Sequence, residues 1–186
     1  MPNRQFTSSS GVVFQVGQEA SEVAALRCAL EAHGPDVFVE LGTWRGGVPA
    51  VVRDTLPGIQ VHSHDMSPPT LTAEQMTFLG PMTHFHQTDI LGAPRSIVCQ
   101  IDVPWKVFLF CDNGHKALEV PMYARWLKVG DVIGCHDWGV EIKAEDVEWA
   151  LRGFEPLVPE MTEGVAGCKS RFWVCVEKSP FGAMLR

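Results

Sequence analysis

The spacing of apolar positions changes repeatedly along the chain, and each change marks an element. Between residues 19 and 33, Val23, Leu26 and Leu30 recur on one helical face, and Gly34-Pro35 stops the pattern. Asp36-Val37-Phe38-Val39-Glu40-Leu41 is a short strand closed by a glycine-rich turn. Val48, Val51, Val52 and Leu56 predict a helix ending at Pro57-Gly58, and residues 60–65 a second strand. Thr72 and Gln75 have the spacing of a capping box and open the next helix. Residues 83–89 read as a third strand and residues 106–112 as a fourth. In the latter, Val107 to Phe110 are all apolar, as expected where both faces of a sheet are covered. Residues 118–129 predict a helix in which Pro121 is tolerable only near the first turn. Residues 132–136 follow as a fifth strand and 143–151 as a helix. Residues 154–158 and 172–176 are strand-like with only a loop between them, which permits an antiparallel hairpin, whereas parallel neighbours need a long crossover. The sum is an α/β protein with a doubly wound, mostly parallel sheet of about seven strands and a C-terminal antiparallel hairpin. Residues 1–18 carry no such pattern and read as a flexible N-terminal arm, with residues 19–186 as a single domain.

Composition narrows the function classes. Hydrophobic residues make up 46% and charged residues 20% of 186 positions, values of an ordinary globular chain, so wholesale disorder is excluded. The longest apolar runs fall far short of the roughly 20 residues of a membrane helix, and the N-terminus has no secretory apolar region. The expected location is cytoplasmic, with no membrane partner. A net charge of −7 and the lack of any Lys/Arg cluster argue against nucleic acid. Lys169-Ser170-Arg171 reads as a solvated hairpin tip. None of the six cysteines forms a C-x-x-C pair, and Cys111, Cys135 and Cys175 lie in apolar runs as small buried hydrophobes.

Acidic residues recur where predicted strands end: Glu40, Asp65, Asp89 and Asp112, with Asp137 just past the fifth strand. In open α/β sheets those ends line the ligand crevice, although any single carboxylate there can instead cap the following helix. The turn Glu40-Leu41-Gly42-Thr43-Trp44-Arg45-Gly46-Gly47 allows a sharp bend and close approach to a ligand, but it is not G-x-G-x-x-G, which argues against a dinucleotide site. His62 with His64, and His84 with His86, each project to one face of a strand. Two such pairs could make a metal site if their strands were adjacent, but the pattern reads first as partly buried polar residues near the sheet edge. Trp44 and Trp138 fall in loops at the crevice, to pack on a ligand ring or anchor the loop; Trp105, Trp126, Trp149 and Trp173 are assigned to the core or to helix–sheet packing.

With E-x-G-x-x-x-G followed by Asp65 and Asp89 ending the next two strands, the chain resembles the class I S-adenosylmethionine-dependent methyltransferases, which have a Rossmann-like sheet. More narrowly, the stretch Val107 to His115, with its Asp112-Asn113-Gly114-His115, and the segment Val129 to Asp137 are similar to the macrocin and rhamnosyl O-methyltransferase and cephalosporin-hydroxylase-like group, over roughly residues 36–178. The resemblance implies O-methylation of a small-molecule hydroxyl (sugar, phenol or natural product) and is compatible with a homo-oligomer. It implies Gly42 and its neighbours Glu40, Thr43, Trp44 and Gly46 beside the methionine part of the cofactor, Asp65 on the ribose hydroxyls, and Asp89 at the adenine amino group. Asp112, adjoining the cofactor, and Asp137 match two ligands of a divalent cation, and His115 matches a base near the acceptor.

One position departs from the group. His136 stands where a second acidic residue precedes the position of Asp137. Magnesium prefers oxygen ligands, while imidazole suits zinc, manganese or iron. The set Asp112, His136 and Asp137 is therefore open to a softer metal, to a weaker magnesium site, or to metal-free chemistry with His136 or His115 as base. Two other classes stay in view: a non-catalytic cofactor-binding or assembly protein of the same fold, and a metal-dependent α/β hydrolase, though without a G-x-S-x-G elbow.

Overall fold

A computed structural model describes residues 4–178. In chain order it contains β1 (Arg4–Thr7), β2 (Val13–Val16), α1 (Ala20–His33), β3 (Val37–Leu41), α2 (Gly47–Thr55), β4 (Gln60–Asp65), α3 (Ala73–Leu79), β5 (Thr83–Gln87) and α4 (Pro94–Ile101). It continues with β6 (Val107–Cys111), α5 (Lys116–Ala124), β7 (Val132–Cys135), α6 (Ala144–Val147), β8 (Phe154–Pro156), α7 (Pro159–Thr162) and β9 (Arg171–Cys175).

The main sheet has seven strands in the order β5-β4-β3-β6-β7-β9-β8. The first five are parallel, while β9 runs antiparallel to both β7 and β8. Alternation along the central strands sorts the core into two layers. Phe38, Phe108, Phe110 and Val132 face α1, α2 and the N-terminal hairpin, where Phe14, Leu26, Leu30 and Val51 cover them. Val39, Leu41, Leu109 and Ile133 face the other way, onto Ile97, Ile101, Val120 and Tyr123 of α4 and α5. Every residue of β3 and β6 is buried, which is why β6 is a continuous apolar run and β3 is one but for Glu40. No helix among the described residues is long and apolar enough to cross a membrane.

The structure departs from the sequence expectations in definite places. Residues 4–16 of the expected arm form an antiparallel hairpin, paired Arg4 to Val16 through Thr7 to Val13. Phe6, Phe14 and Val16 are buried against the domain; four-residue strands with one covered face are too short for periodicity to reveal. Helix α4 was not foreseen, because Ile97 and Ile101 alone carry its buried face. Helix α5 starts and stops earlier than expected, so Pro121 lies inside it. The connection between β8 and β9 contains α7, and α6 spans only four residues. Trp105 and Trp149 are more than half exposed, whereas Trp126 and Trp173 pack on the core as expected.

Candidate active site

Strands β3 and β6 are neighbours, with successive crossovers leaving in opposite directions from this pair. Their C-terminal ends open a crevice of about 310 Å³, within the range of small-ligand pockets. It is lined by the turn after β3, by Asp65 after β4, by Asp112, Asn113 and Lys116 after β6, by His136 and Asp137 after β7, and by Val16 to Gln18 after the N-terminal hairpin.

The turn is built by contact. Gly42 has φ +103°, and a Cβ there would lie 2.7 Å from the backbone of Asp112 and Asn113. Gly47 opens α2 so close to β2 that a Cβ would lie 2.3 Å from the Gln15 carbonyl. Trp44 and Asp137, both lining the crevice, are non-glycine residues at φ 45° and 58°. Such left-handed conformations typically cost about 1–3 kcal/mol and persist only where the surroundings hold them. The Trp44 amide donates to Asp65 Oδ2 at 3.1 Å and the Ser67 amide to Oδ1 at 3.1 Å, which fixes the Asp65 carboxylate at the mouth. Glu40 lies beneath, 1% exposed, accepting from the Ser63 hydroxyl; burial pushes its pKa well above the ordinary carboxyl range.

A charged cluster fills the β6–β7 side. His136 Nδ1 is 3.1 Å from both Asp112 Oδ1 and Asp137 Oδ2, and Nε2 is 3.1 Å from Glu22 on α1. Burial opposes charge on this ring, but hydrogen bonds to Asp112 and Glu22 outweigh it and raise the pKa to about 10. His136 is therefore an imidazolium at neutral pH. In that form the ring has no lone pair to accept a proton, which weighs against His136 as the base. Lys116 is only 3% exposed, with Nζ 2.7 Å from Glu141 and 3.1 Å from Asp137. Its burial opposes charge too, and the Glu141, Asp112 and Asp137 carboxylates raise its pKa nonetheless. Burial works against ionisation of Asp137, yet His136 and Lys116 hold its pKa below the usual value. Gln18 Nε2 donates to Asp112 Oδ2 at 2.5 Å, tying the hairpin to the site.

Among the described residues, Asp112, His136 and Asp137 are the group whose metal-capable ligand atoms converge, all within 4.8 Å. Those atoms are near enough to share one ion, but the arrangement present does not fit it. Both His136 nitrogens are committed to carboxylates, and the Lys116 ammonium already holds the Asp137 oxygen.

No family model and no curated protein sequence matches the chain. Solved structures do. CmcI with Mg and SAM superposes at TM-score 0.68 and 17% identity, over 94% of this chain and 77% of that one. CmcI with SAH gives 0.58 and 18%, over 88% and 80%. A ribosomal protein L11 methylase from Lactobacillus delbrueckii subsp. bulgaricus gives 0.52 and 13%, over 95% and 83%. The chain has the class I methyltransferase fold. The Rossmann-like sheet expected from the motifs is thus the one observed.

Within this methyltransferase fold the predicted residues separate into two sets. Glu40, Gly42, Thr43, Trp44, Asp65, Asp112, His136 and Asp137 all line the crevice. Gly46, Asp89 and His115 do not. Asp89 Oδ1 accepts from the amides of Leu91 and Gly92, so its carboxylate closes its own turn. His115 is the exposed N-cap residue of α5, and Lys116, one residue further, enters the crevice instead. The hairpin's Gln18 and α1's Glu22 were missed. Glu22 left a readable signal: it lies four residues before Leu26 and eight before Leu30, an acidic residue on the apolar stripe.

The four histidines on β4 and β5 sit on adjacent strands in register, His62 beside His84 and His64 beside His86. Their rings stack, with centroids 4.6 Å apart for His64 and His86, and His62 Nδ1 lies 3.0 Å from His86 Nε2. His62 bonds to His86, and His64 to Gln100 and Thr88; His64 is fully buried, while His62, His84 and His86 are half-buried near the edge strand. Burial and mutual proximity depress His62 to about 4; burial does the same for His64.

Proposed function

We propose that the protein is an S-adenosylmethionine-dependent methyltransferase acting on a hydroxyl of a small molecule. The observation that carries this reading is the crevice itself, where the Gly42 turn passes under the Asp112 backbone and the acidic side chains of Glu40, Asp65 and Asp112 line one cavity. The structures of CmcI with SAM and with SAH support it. When bound, S-adenosylmethionine supplies a methyl group on a sulfonium, an electrophile that needs mainly alignment with its acceptor.

The residues of the chain supply that alignment. Asp65, held by two backbone amides, presents lone pairs suited to a ribose diol. The acidic wall favours a sulfonium cation over its neutral product. Trp44, 45% exposed, offers a flat apolar face at the mouth. On the opposite side, His136 and Lys116 hold Asp137 ionised, so its carboxylate can accept a hydrogen bond from the acceptor hydroxyl and orient that oxygen. Bound S-adenosylmethionine would supply the methyl group to the hydroxyl oxygen and leave as the neutral thioether, and the hydroxyl proton would pass to the Asp137 carboxylate or to water.

Calorimetric titration with S-adenosylhomocysteine tests this. The wild type binds with a micromolar dissociation constant, and Asp65→Ala binds about 10–100-fold more weakly, the loss expected for charge-assisted hydrogen bonds worth about 1.5–3 kcal/mol. No binding to the wild type would overturn the proposal and favour the hydrolase alternative. Normal binding by Asp65→Ala would remove the ribose assignment alone.

A further inference from the structure

Lys116 sits where a lysine has no generic reason to be. It is the first residue of α5, where the helix dipole disfavours a cation, and its side chain turns inward and is 3% exposed. Burying an ammonium costs several kcal/mol unless it is paired with good geometry. The pairing here is to Glu141 and to Asp137 Oδ2, the same oxygen that His136 Nδ1 contacts. Four carboxylates, Glu22, Asp112, Asp137 and Glu141, thus surround two cations, Lys116 and His136.

We propose that Lys116 takes, in this chain, the electrostatic role that a divalent cation takes in a metal-dependent methyltransferase, so that the enzyme works without a resident metal. The proposal rests on the methyltransferase reading above and deepens it. Magnesium requires near-octahedral oxygen ligands at about 2.0–2.1 Å. At this site an imidazole replaces one oxygen donor, and an ammonium 3.1 Å from Asp137 Oδ2 occupies the approach to another. Lys116 also lines the crevice, so its ammonium can stabilise negative charge developing on an acceptor oxygen bound there. The substrate class follows. A metal ion grips two adjacent oxygens by chelation, whereas an ammonium needs only one, so the acceptor hydroxyl needs no vicinal oxygen partner.

The test is manganese binding, read by the loss of the free Mn²⁺ electron-paramagnetic-resonance signal, on wild type, Lys116→Arg, Lys116→Met and the double variant Lys116→Met/His136→Glu. S-adenosylhomocysteine affinity is measured on the same samples. Wild type and Lys116→Arg, which keeps the charge, are expected to bind Mn²⁺ no more tightly than millimolar, with or without S-adenosylhomocysteine. The double variant, with the cation removed and an oxygen donor restored, is expected to bind at least tenfold more tightly, and Lys116→Met to fall between. Micromolar Mn²⁺ binding by the wild type, lost in Asp112→Asn, would overturn the proposal, and so would turnover abolished by EDTA and restored by metal. The wild-type measurement stands even if a variant fails to fold. Failure of the wild type to bind S-adenosylhomocysteine would instead overturn the methyltransferase reading, whatever the manganese result.

Discussion

Replacing Glu22 by Gln isolates what holds His136 charged. Glu22 is 2% exposed and accepts from the Glu19 amide, the Lys169 amide and His136 Nε2. Raising an imidazole from 6.5 to about 10 corresponds to roughly 5 kcal/mol of preference for the charged form. Three carboxylates share that preference, and Glu22 alone meets Nε2. Its neutralisation should remove about 1.5–2.5 kcal/mol, bringing the His136 pKa down to roughly 8–9. The sign follows from linkage. A histidine whose folded pKa exceeds its unfolded value contributes stability that is complete below about 6.5 and is lost as pH rises through the folded pKa. The wild type should therefore lose this contribution between about pH 6.5 and 10, and the variant between about 6.5 and 8–9. Urea denaturation followed by circular dichroism at pH 6 and at pH 9.5 reads the difference: the variant should be destabilised by about 2 kcal/mol at pH 6 and by clearly less at pH 9.5. The imidazole can be followed directly by nuclear magnetic resonance. Titration of His136 near 6.5 in the wild type, or an equal loss in the variant at both pH values, would refute the reasoning.

Two further outcomes follow from the geometry. Gly42→Ala should cost at least about 2 kcal/mol and abolish detectable S-adenosylhomocysteine binding, because its Cβ meets the Asp112–Asn113 backbone at 2.7 Å and its φ is +103°. A variant with wild-type melting temperature and affinity would show that the turn is not set by that contact. The stacked histidines should make the fold acid-sensitive: His62 and His64, depressed to about 4, stabilise fully above about 6.5 and lose that contribution as pH falls toward 4. Melting temperature should fall across that window in the wild type and fall less in His64→Asn, and parallel curves would sink the idea.

Much of the site was legible because strand ends are legible. Val107 to Cys111 is apolar throughout and Val37 to Leu41 is apolar but for Glu40, and the polar residues at or just past such strand ends must lie where the strands leave the core. That alone brought Glu40, Asp65, Asp112 and Asp137 to one crevice. Asp89 satisfied the same rule yet spends its carboxylate on its own turn, since a strand-end position does not specify which donors a side chain meets.

Local pattern thus determined the strands of the central sheet, most of the helices between them and the edge of the sheet on which chemistry sits, because periodicity records which face of each segment leaves water. Tertiary structure decided the rest. One residue of helical phase separates His115, exposed at the cap, from Lys116, buried among carboxylates. Glu22 and His136 are 114 positions apart and meet only when α1 packs beside the end of β7. Whether His136 is a base or a fixed cation depends on that meeting, since the charge of a buried group is set by the partners that surround it and those partners come from distant parts of the chain.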